Sequence, residues 1–328
     1  MKLVVTPSYS AAFNLALEEY LMTHFEDEFF MLWMSENAIL IGKHQNTYTE
    51  INIPYVQEHQ IEVVRRMSGG GTVFCDPGNI NFTFIENTLG NFADFKKFTA
   101  PIISYINHLG APAQFSGRND LVIEDKKFSG NAQYRIKSRT LHHGTLLFDS
   151  KLGALANALT PREEKFKGKA IDSVKARVTN IKAYLPDQSL TVSAFKSGIY
   201  KHIMSSFEDC SYYSLTQDDL EAVQKLVDEK YATWQWNYGD SPKYDYTNIK
   251  KFPSGLVELG ITVQKGIIKQ LAIHGDFFAS KETNELCEAM IGTKHEKSDI
   301  LTVLTSIHLG DYLQGIDAEA FADFMTEV

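Results

Sequence analysis

The chain has only three cysteines in 328 residues, Cys75, Cys210 and Cys287, far apart and with no CxxC pair. An odd number so spaced argues against a disulfide framework and for a reducing compartment. No run of about 20 apolar residues is present, so no membrane-spanning helix is expected. The opening MKLVVTPSYS lacks the basic segment and long apolar run of a signal peptide, which points to the cytoplasm. Positive charge is not in excess. The net charge of -9 disfavours non-specific binding to nucleic acid or acidic membrane, though a local basic pocket for a small anion remains compatible with it. No GxxxxGK[ST] occurs, so there is no Walker A loop. Nor is there an internal repeat or a low-complexity tract. What remains is 44% hydrophobic and 22% charged, ordinary for a globular protein and long enough for two domains.

Apolar spacing predicts a helix over 11–24, with Phe13, Leu17, Tyr20 and Leu21 on one face and Asn14, Glu18 and Glu19 on the other. Short apolar runs at 29–34, 38–42, 61–68, 71–74 and 80–86 read as strands. A helix is expected over 93–109, ended by Gly110, with Pro101 in its first turn or at a kink. Strands follow at 120–124, 127–135 and 141–149, then a charged loop over 160–180. Helices are expected near 191–207 and 216–232, the second opened by the capping pattern Thr216 to Asp219. After a turn-rich linker, a strand pair over SGLVELGITVQ and GIIKQLAIHG precedes three helices. The expectation is an α+β fold. Residues 1–240 form a mixed-sheet unit flanked by helices, 241–250 a linker, and 251–328 a small α+β unit.

Four constellations carry chemistry. Arg65-Arg66-Met67-Ser68-Gly69-Gly70-Gly71-Thr72-Val73-Phe74 sets three glycines in a strand context. Glycine there is costly unless another backbone or a ligand must come close. Its free N–H groups suit phosphate oxygens, with arginine charge beside them. A glycine-rich bend with solvated arginines fits the same residues. Gly117-Arg118-Asn119-Asp120 followed by Lys126-Lys127-Phe128-Ser129-Gly130 reads as a hairpin that puts Lys127 near Asp120 or Leu121. A buried lysine beside an aspartate suits a carboxylate and a phosphate, whereas a plain surface lysine is the bland alternative. In Leu141-His142-His143-Gly144-Thr145, the two histidines point to opposite faces of a strand and cannot share one metal. One is expected to hydrogen-bond within a site, the other to sit in the core. Finally, Lys169 to Asn180 is dense in lysine and arginine, able to close over a polyanion or to be a solvated charge run.

These blocks in this order resemble the lipoate–protein ligase A family, within the wider biotin/lipoate ligases. The carrying segments are RRMSGGGTVFCDPGNINFTF (65–84), GRNDLVIEDKKFSGNAQY (117–134), HHGTLLFD (142–149) and SVKARVTN (173–180). The segment from 252 to 278 is similar to the accessory domain attached to many of these ligases. The resemblance implies an ATP-dependent enzyme that activates lipoate as lipoyl-AMP and passes the lipoyl group to a protein lysine. It implies Lys127 as the essential lysine, touching the lipoate carboxylate and the α-phosphate. It implies Arg66, Gly71, Thr72, Val73, Phe74, Asn79, Lys175 and Arg177 as nucleotide contacts, Lys175 standing where arginine is common. Gly70, Gly71, His143 and Phe82 would border the lipoyl group. Asp120 would lie near a Mg²⁺ ion or the amine path. Partners implied are apo lipoyl domains of 2-oxoacid dehydrogenase E2 subunits or the glycine-cleavage H protein, with no nucleic acid or membrane.

One departure is Cys75-Asp76, where many members have His-Asp; Cys75 reads as a small buried strand residue. Related octanoyltransferases use a cysteine in a later loop, and 141–180 here has none, which disfavours an acyl-enzyme. An ATP-independent transferase on the same scaffold and a non-catalytic lipoate-binding protein are the rival readings.

Overall fold

Local chemistry sets the first helix, α1 (Ala11–His24). The Ser10 side chain caps it by accepting from the Phe13 N–H. The Glu62 carboxylate accepts from the Ala11 and Ala12 N–H groups at 2.8 and 2.9 Å, placing negative charge where the helix dipole is positive. The computed structural model of the chain describes residues 1–87, 94–152, 158–159, 178–238 and 246–326.

The larger unit is built on an eight-stranded mixed sheet. Its strands are β1 (Lys2–Val5), β2 (Phe29–Trp33), β6 (Asn79–Asn87), β7 (Ala113–Ser116), β8 (Asp120–Ile123), β9 (Lys126–Ile136), β10 (Arg139–Leu147) and β11 (Ser211–Tyr213). They lie in the order β11-β1-β2-β6-β10-β9-β8-β7, parallel around β1 and antiparallel elsewhere. A second sheet, β4-β3-β5, joins β3 (Ala38–Ile41), β4 (Glu62–Arg65) and β5 (Val73–Cys75). The short helices α2 (Thr47–Glu50) and α3 (Ile53–Glu58) connect β3 to β4.

Strand alternation decides what each face of the large sheet meets. Ile80, Phe82 and Phe84 pack towards α4 (Phe95–His108) and α5 (Val192–Ser206). Met31, Trp33, Ile85 and Leu141 pack towards α1, α6 (Gln217–Leu226) and the small sheet. The smaller unit has its own core. Val257, Leu259 and Ile273 from the antiparallel strands β12 (Tyr246–Phe252), β13 (Gly255–Gln264) and β14 (Ile267–Gly275) meet Leu286, Ile300 and Phe321. Those three side chains come from α8 (Thr283–Met290), α9 (Lys297–Ser306) and α10 (Ala318–Thr326). A short α7 (Trp234–Asn237) precedes this unit.

The α+β expectation stands, and the capping box at Thr216 and Asp219 is formed. Four differences have physical causes. β1, β7 and β11 are too short for a period of two to be read, and only their neighbours make them strands. Pro101 lies inside a continuous α4 capped by Asp94, rather than in the first turn. The stretch expected as a linker over 241–250 is part of β12 from Tyr246 onward, because its backbone pairs with β13. The expected polar face of α1 is buried: Asn14 is 0% exposed and Glu18 1%. Among the described residues, no helix is long and apolar enough to cross a membrane.

Candidate active site

A cavity of about 120 Å³ lies between the large sheet and the glycine loop. Its floor is a row of residues paired across strands: Trp33 opposite Asn81, and Asn81 opposite Thr145. His143 and Ala132 lie one step along on the same face. The roof is Arg66, Gly70, Gly71, Thr72 and Val73, with Leu40 beside them. One end is bordered by Asn119, Lys127, Gly130 and Asn131.

Lys127 reaches this end because β8 and β9 form a tight hairpin, turned by Glu124 and Asp125 in the left-handed conformation (φ 48° and 61°). A bulge pairs Lys127 with Val122, and its Nζ reaches diagonally to Asp120 Oδ1 at 2.7 Å. The expected pair is present, but it is not buried. The two side chains are 40% and 38% exposed, since the cavity mouth opens there. The Lys127 carbonyl accepts from the Thr179 N–H at 2.8 Å, which ties the end of the SVKARVTN segment to this strand. Lys175 and Arg177 lie outside the described residues.

Both arginines are committed to the protein, against the expectation of free charge beside phosphates. Arg65 donates to the carbonyls of Gly42, Gln45 and Trp236, holding α7 against the small sheet. Arg66 is 5% exposed. Its guanidinium donates to Ser68 Oγ at 3.0 Å and to the carbonyls of Leu40, Gly69 and Gly71 at 3.0, 2.7 and 2.8 Å. Burial lowers Arg66 to about 10, and the Glu18 charge opposes that shift. Arg66 therefore shapes the loop from behind while bordering the cavity.

The glycines have two separate reasons. A Cβ at Gly69 would lie 2.2 Å from the Phe277 carbonyl oxygen, so that position is reserved for the smaller unit. Gly70 has φ +90°, a conformation an L side chain resists, and its N–H donates to the same carbonyl at 3.4 Å. His44 stacks on Phe277 with ring centroids 4.7 Å apart, and Arg118 lies 4.7 Å above the Phe278 ring. Gly71 alone of the three keeps an open side, with Asp276 Oδ2 at 4.0 Å from where a Cβ would be.

Two family descriptions match the chain. The lipoyl protein ligase A/B catalytic domain matches residues 10–204, and the bacterial lipoate protein ligase C-terminus matches 241–325. The chain belongs to the lipoyl protein ligase A/B family. It is an enzyme, with lipoate–protein ligase activity. Lipoate-protein ligase LplJ of Bacillus subtilis is 41% identical over 317 residues, 95% of this chain and 96% of that one. Lipoate–protein ligase 1 of Staphylococcus aureus is 40% identical over 316 residues, again 95% and 96%. The crystal structure of P. falciparum LipL1 in complex with lipoate is similar at TM-score 0.79 and 26% identity, covering 99% of this chain and 98% of that one.

Not every expected residue of the ligase reaches the cavity. Phe82 is fully buried on the opposite face of β6, because residues 80, 82 and 84 point towards α4. Phe74 packs with Ile39, Ile41 and Val63 on the far side of the small sheet. Asn79 stands behind Asn81, donating to its Oδ1 at 3.2 Å. Cys75 is fully buried, and its thiol donates to the same oxygen at 3.6 Å. With Oδ1 so held, the Asn81 Nδ2 is left as a buried donor without a partner on a cavity-lining residue. Asn81 was missed, although the alternation in Asn79-Ile80-Asn81-Phe82-Thr83-Phe84 marks it. The two histidines separate as expected. His142 stacks on Phe98 in the core, while His143 borders the cavity and bonds Ser68 Oγ at 2.5 Å and Glu18 Oε2 at 2.9 Å.

Proposed function

We propose that this ligase works in two half-reactions at the one cavity. Lipoate and MgATP first condense to lipoyl-AMP. A carboxylate oxygen bonds to the α-phosphorus as the bond to the β-phosphate oxygen breaks, and pyrophosphate leaves. The ε-amine of an acceptor lysine then attacks the acyl carbon, losing a proton, and AMP leaves. The observation that supports this reading is that Lys127 and the backbone of Gly70–Thr72 border the same small cavity.

The first step must bring two anions together, so fixed positive charge is the main requirement. Lys127 would bridge the lipoate carboxylate and the α-phosphate. Its partner Asp120 orients it, and is placed to take the proton from the incoming amine. Arg66 would act on the nucleotide mainly by shaping Gly70, Gly71 and Thr72. Trp33, Leu40 and Val73 give the acyl chain an apolar path, with His143 at its side. Lys175 and Arg177 would close over the adenylate and keep water from it.

Magnesium is read as part of the MgATP substrate. Among the described residues no group of three or more His, Cys, Asp or Glu could hold an ion by itself. Mg²⁺ bound through phosphates and one or two carboxylates needs no such cage, and Asp120 suits that use. The acceptor is proposed as an apo lipoyl domain of a 2-oxoacid dehydrogenase E2 subunit or the glycine-cleavage H protein. An archaeal bipartite lipoate protein ligase from Thermoplasma acidophilum, similar in fold, is described with its E2 lipoyl domain.

The test is lipoate-dependent pyrophosphate release from MgATP, with acceptor modification followed by intact mass. Wild type should do both. Lys127→Ala should lose lipoyl-AMP formation while keeping its circular dichroism spectrum; near-normal release by that variant removes Lys127 from its role.

A further inference from the structure

We propose that Glu18 is a positioning residue for the nucleotide side of the site, acting on Arg66 and the glycine loop through His143 and Ser68. The proposal rests on the two-step reading above.

Four side chains from three parts of the chain form one continuous hydrogen-bonded line from floor to roof. Glu18 stands on α1 and is 1% exposed; Ser68, in the loop, is 0% exposed. Glu18 Oε1 accepts from Thr83 Oγ1 at 2.6 Å and from Trp33 Nε1 at 3.2 Å, which fixes the carboxylate. Oε2 is thereby aimed at His143 Nδ1, 2.9 Å away. A carboxylate only accepts, so Nδ1 carries a proton, and the tautomer with its single proton there leaves Nε2 an acceptor. In that tautomer the Ser68 hydroxyl donates to Nε2, 2.5 Å away, and its oxygen in turn accepts from Arg66 Nε at 3.0 Å. Every proton in the line therefore points from the buried cation towards the buried anion.

A lone buried charge is costly, and the remaining Arg66 contacts are neutral carbonyls. Glu18 is the counter-charge that lets Arg66 stay in place. Arg66 in turn holds the carbonyls of Gly69 and Gly71. In a trans peptide the C=O and the following N–H point in opposite directions, so holding the Gly71 carbonyl fixes where the Thr72 N–H points. The line thus sets both the height of the roof and the direction of its donors.

The order Glu–His–Ser also resembles an activated nucleophile. Two facts oppose that use. Ser68 is fully buried, and an Arg66 N–H occupies a lone pair that attack would need.

The test uses full-length wild type, Glu18→Gln and Ser68→Ala. MgATP and lipoate are titrated separately by calorimetry, and the ligand-free proteins are followed by ¹⁵N NMR of the His143 ring and hydrogen exchange at Arg66 Nε. Glu18→Gln is expected to weaken MgATP about tenfold, the scale of one charge-assisted hydrogen bond. Lipoate should weaken less than MgATP does, and Arg66 Nε should lose its protection. Ser68→Ala, which cuts the line but keeps both charges, should do the same and serves if Glu18→Gln does not fold. Weaker lipoate binding with unchanged MgATP binding assigns Glu18 to the acyl pocket and overturns the proposal. So does an unshifted His143 ring with a still-protected Arg66 Nε, or an acyl adduct on Ser68 by intact mass. Absence of lipoate-dependent pyrophosphate release in wild type would instead sink the two-step reading. The ring and exchange signals need no turnover, so they judge the line in either case.

Discussion

At Cys75, burial decides the chemistry. Burial first, then the Asp76 charge, pushes its thiol up to about 12, against the lowering effect of the bond to Asn81. A raised thiol pKa means the neutral form persists at any pH the enzyme meets, so no thiolate is on hand to attack an acyl group. Iodoacetamide at pH 8 should leave Cys75 unlabelled in folded protein, and Cys75→Ala should keep ligation; peptide mass mapping and acceptor lipoylation check both. The neighbouring strand shows how much one position of register matters. Phe82→Ala should cost about 3–5 kcal/mol of stability, as for other buried aromatics, measured by denaturant unfolding. Asn81→Ala should cost less, about 1–3 kcal/mol for the buried Asn79 donor it leaves unpaired, and should alter the KM for substrate, because the Asn81 donor lines the cavity. The opposite pattern would mean that β6 presents its other face.

Helix and strand periods were legible wherever one face is dry and the other wet. The hairpin carrying Lys127 could be read from its charged turn, and the separation of His142 from His143 from strand alternation. Elements buried on all sides were not legible in that way. α1 has no wet face to speak of, so Glu18 looked like a surface residue when it is a core one. The roles of Arg65 and Arg66 were hidden for a similar reason: most of their partners are backbone carbonyls, which no side-chain pattern reveals. The turn after β3 adds a pH dependence. Burial first, then the charges of Lys43, Arg65 and His274, holds His44 down to about 3, and burial holds His142 well below its ordinary value. Below about pH 6.5 the unfolded chain takes up protons at these positions and the folded chain does not. Stability is therefore present above that range and lost as pH falls, by up to about 1.4 kcal/mol per unit for each histidine. Urea midpoints at pH 7 and pH 5 should differ in that direction, and His44→Phe should reduce the difference.

The molecule has two units with separate cores, joined where Phe277 and Phe278 rest on the glycine loop. Gly69→Ala should force them apart at that point. Small-angle scattering should then show a larger radius of gyration, with both cores intact by hydrogen exchange; an unchanged radius would mean the Phe277 carbonyl yields instead. A ribbon three residues wide thus faces two ways, towards the cavity on one side and the carboxy-terminal unit on the other. Anyone exchanging that unit between relatives, or widening the cavity for a bulkier acid, inherits a shared hinge. A change made for one side will be felt on the other, and hybrids should work only when the Gly69–Phe277 fit travels with them.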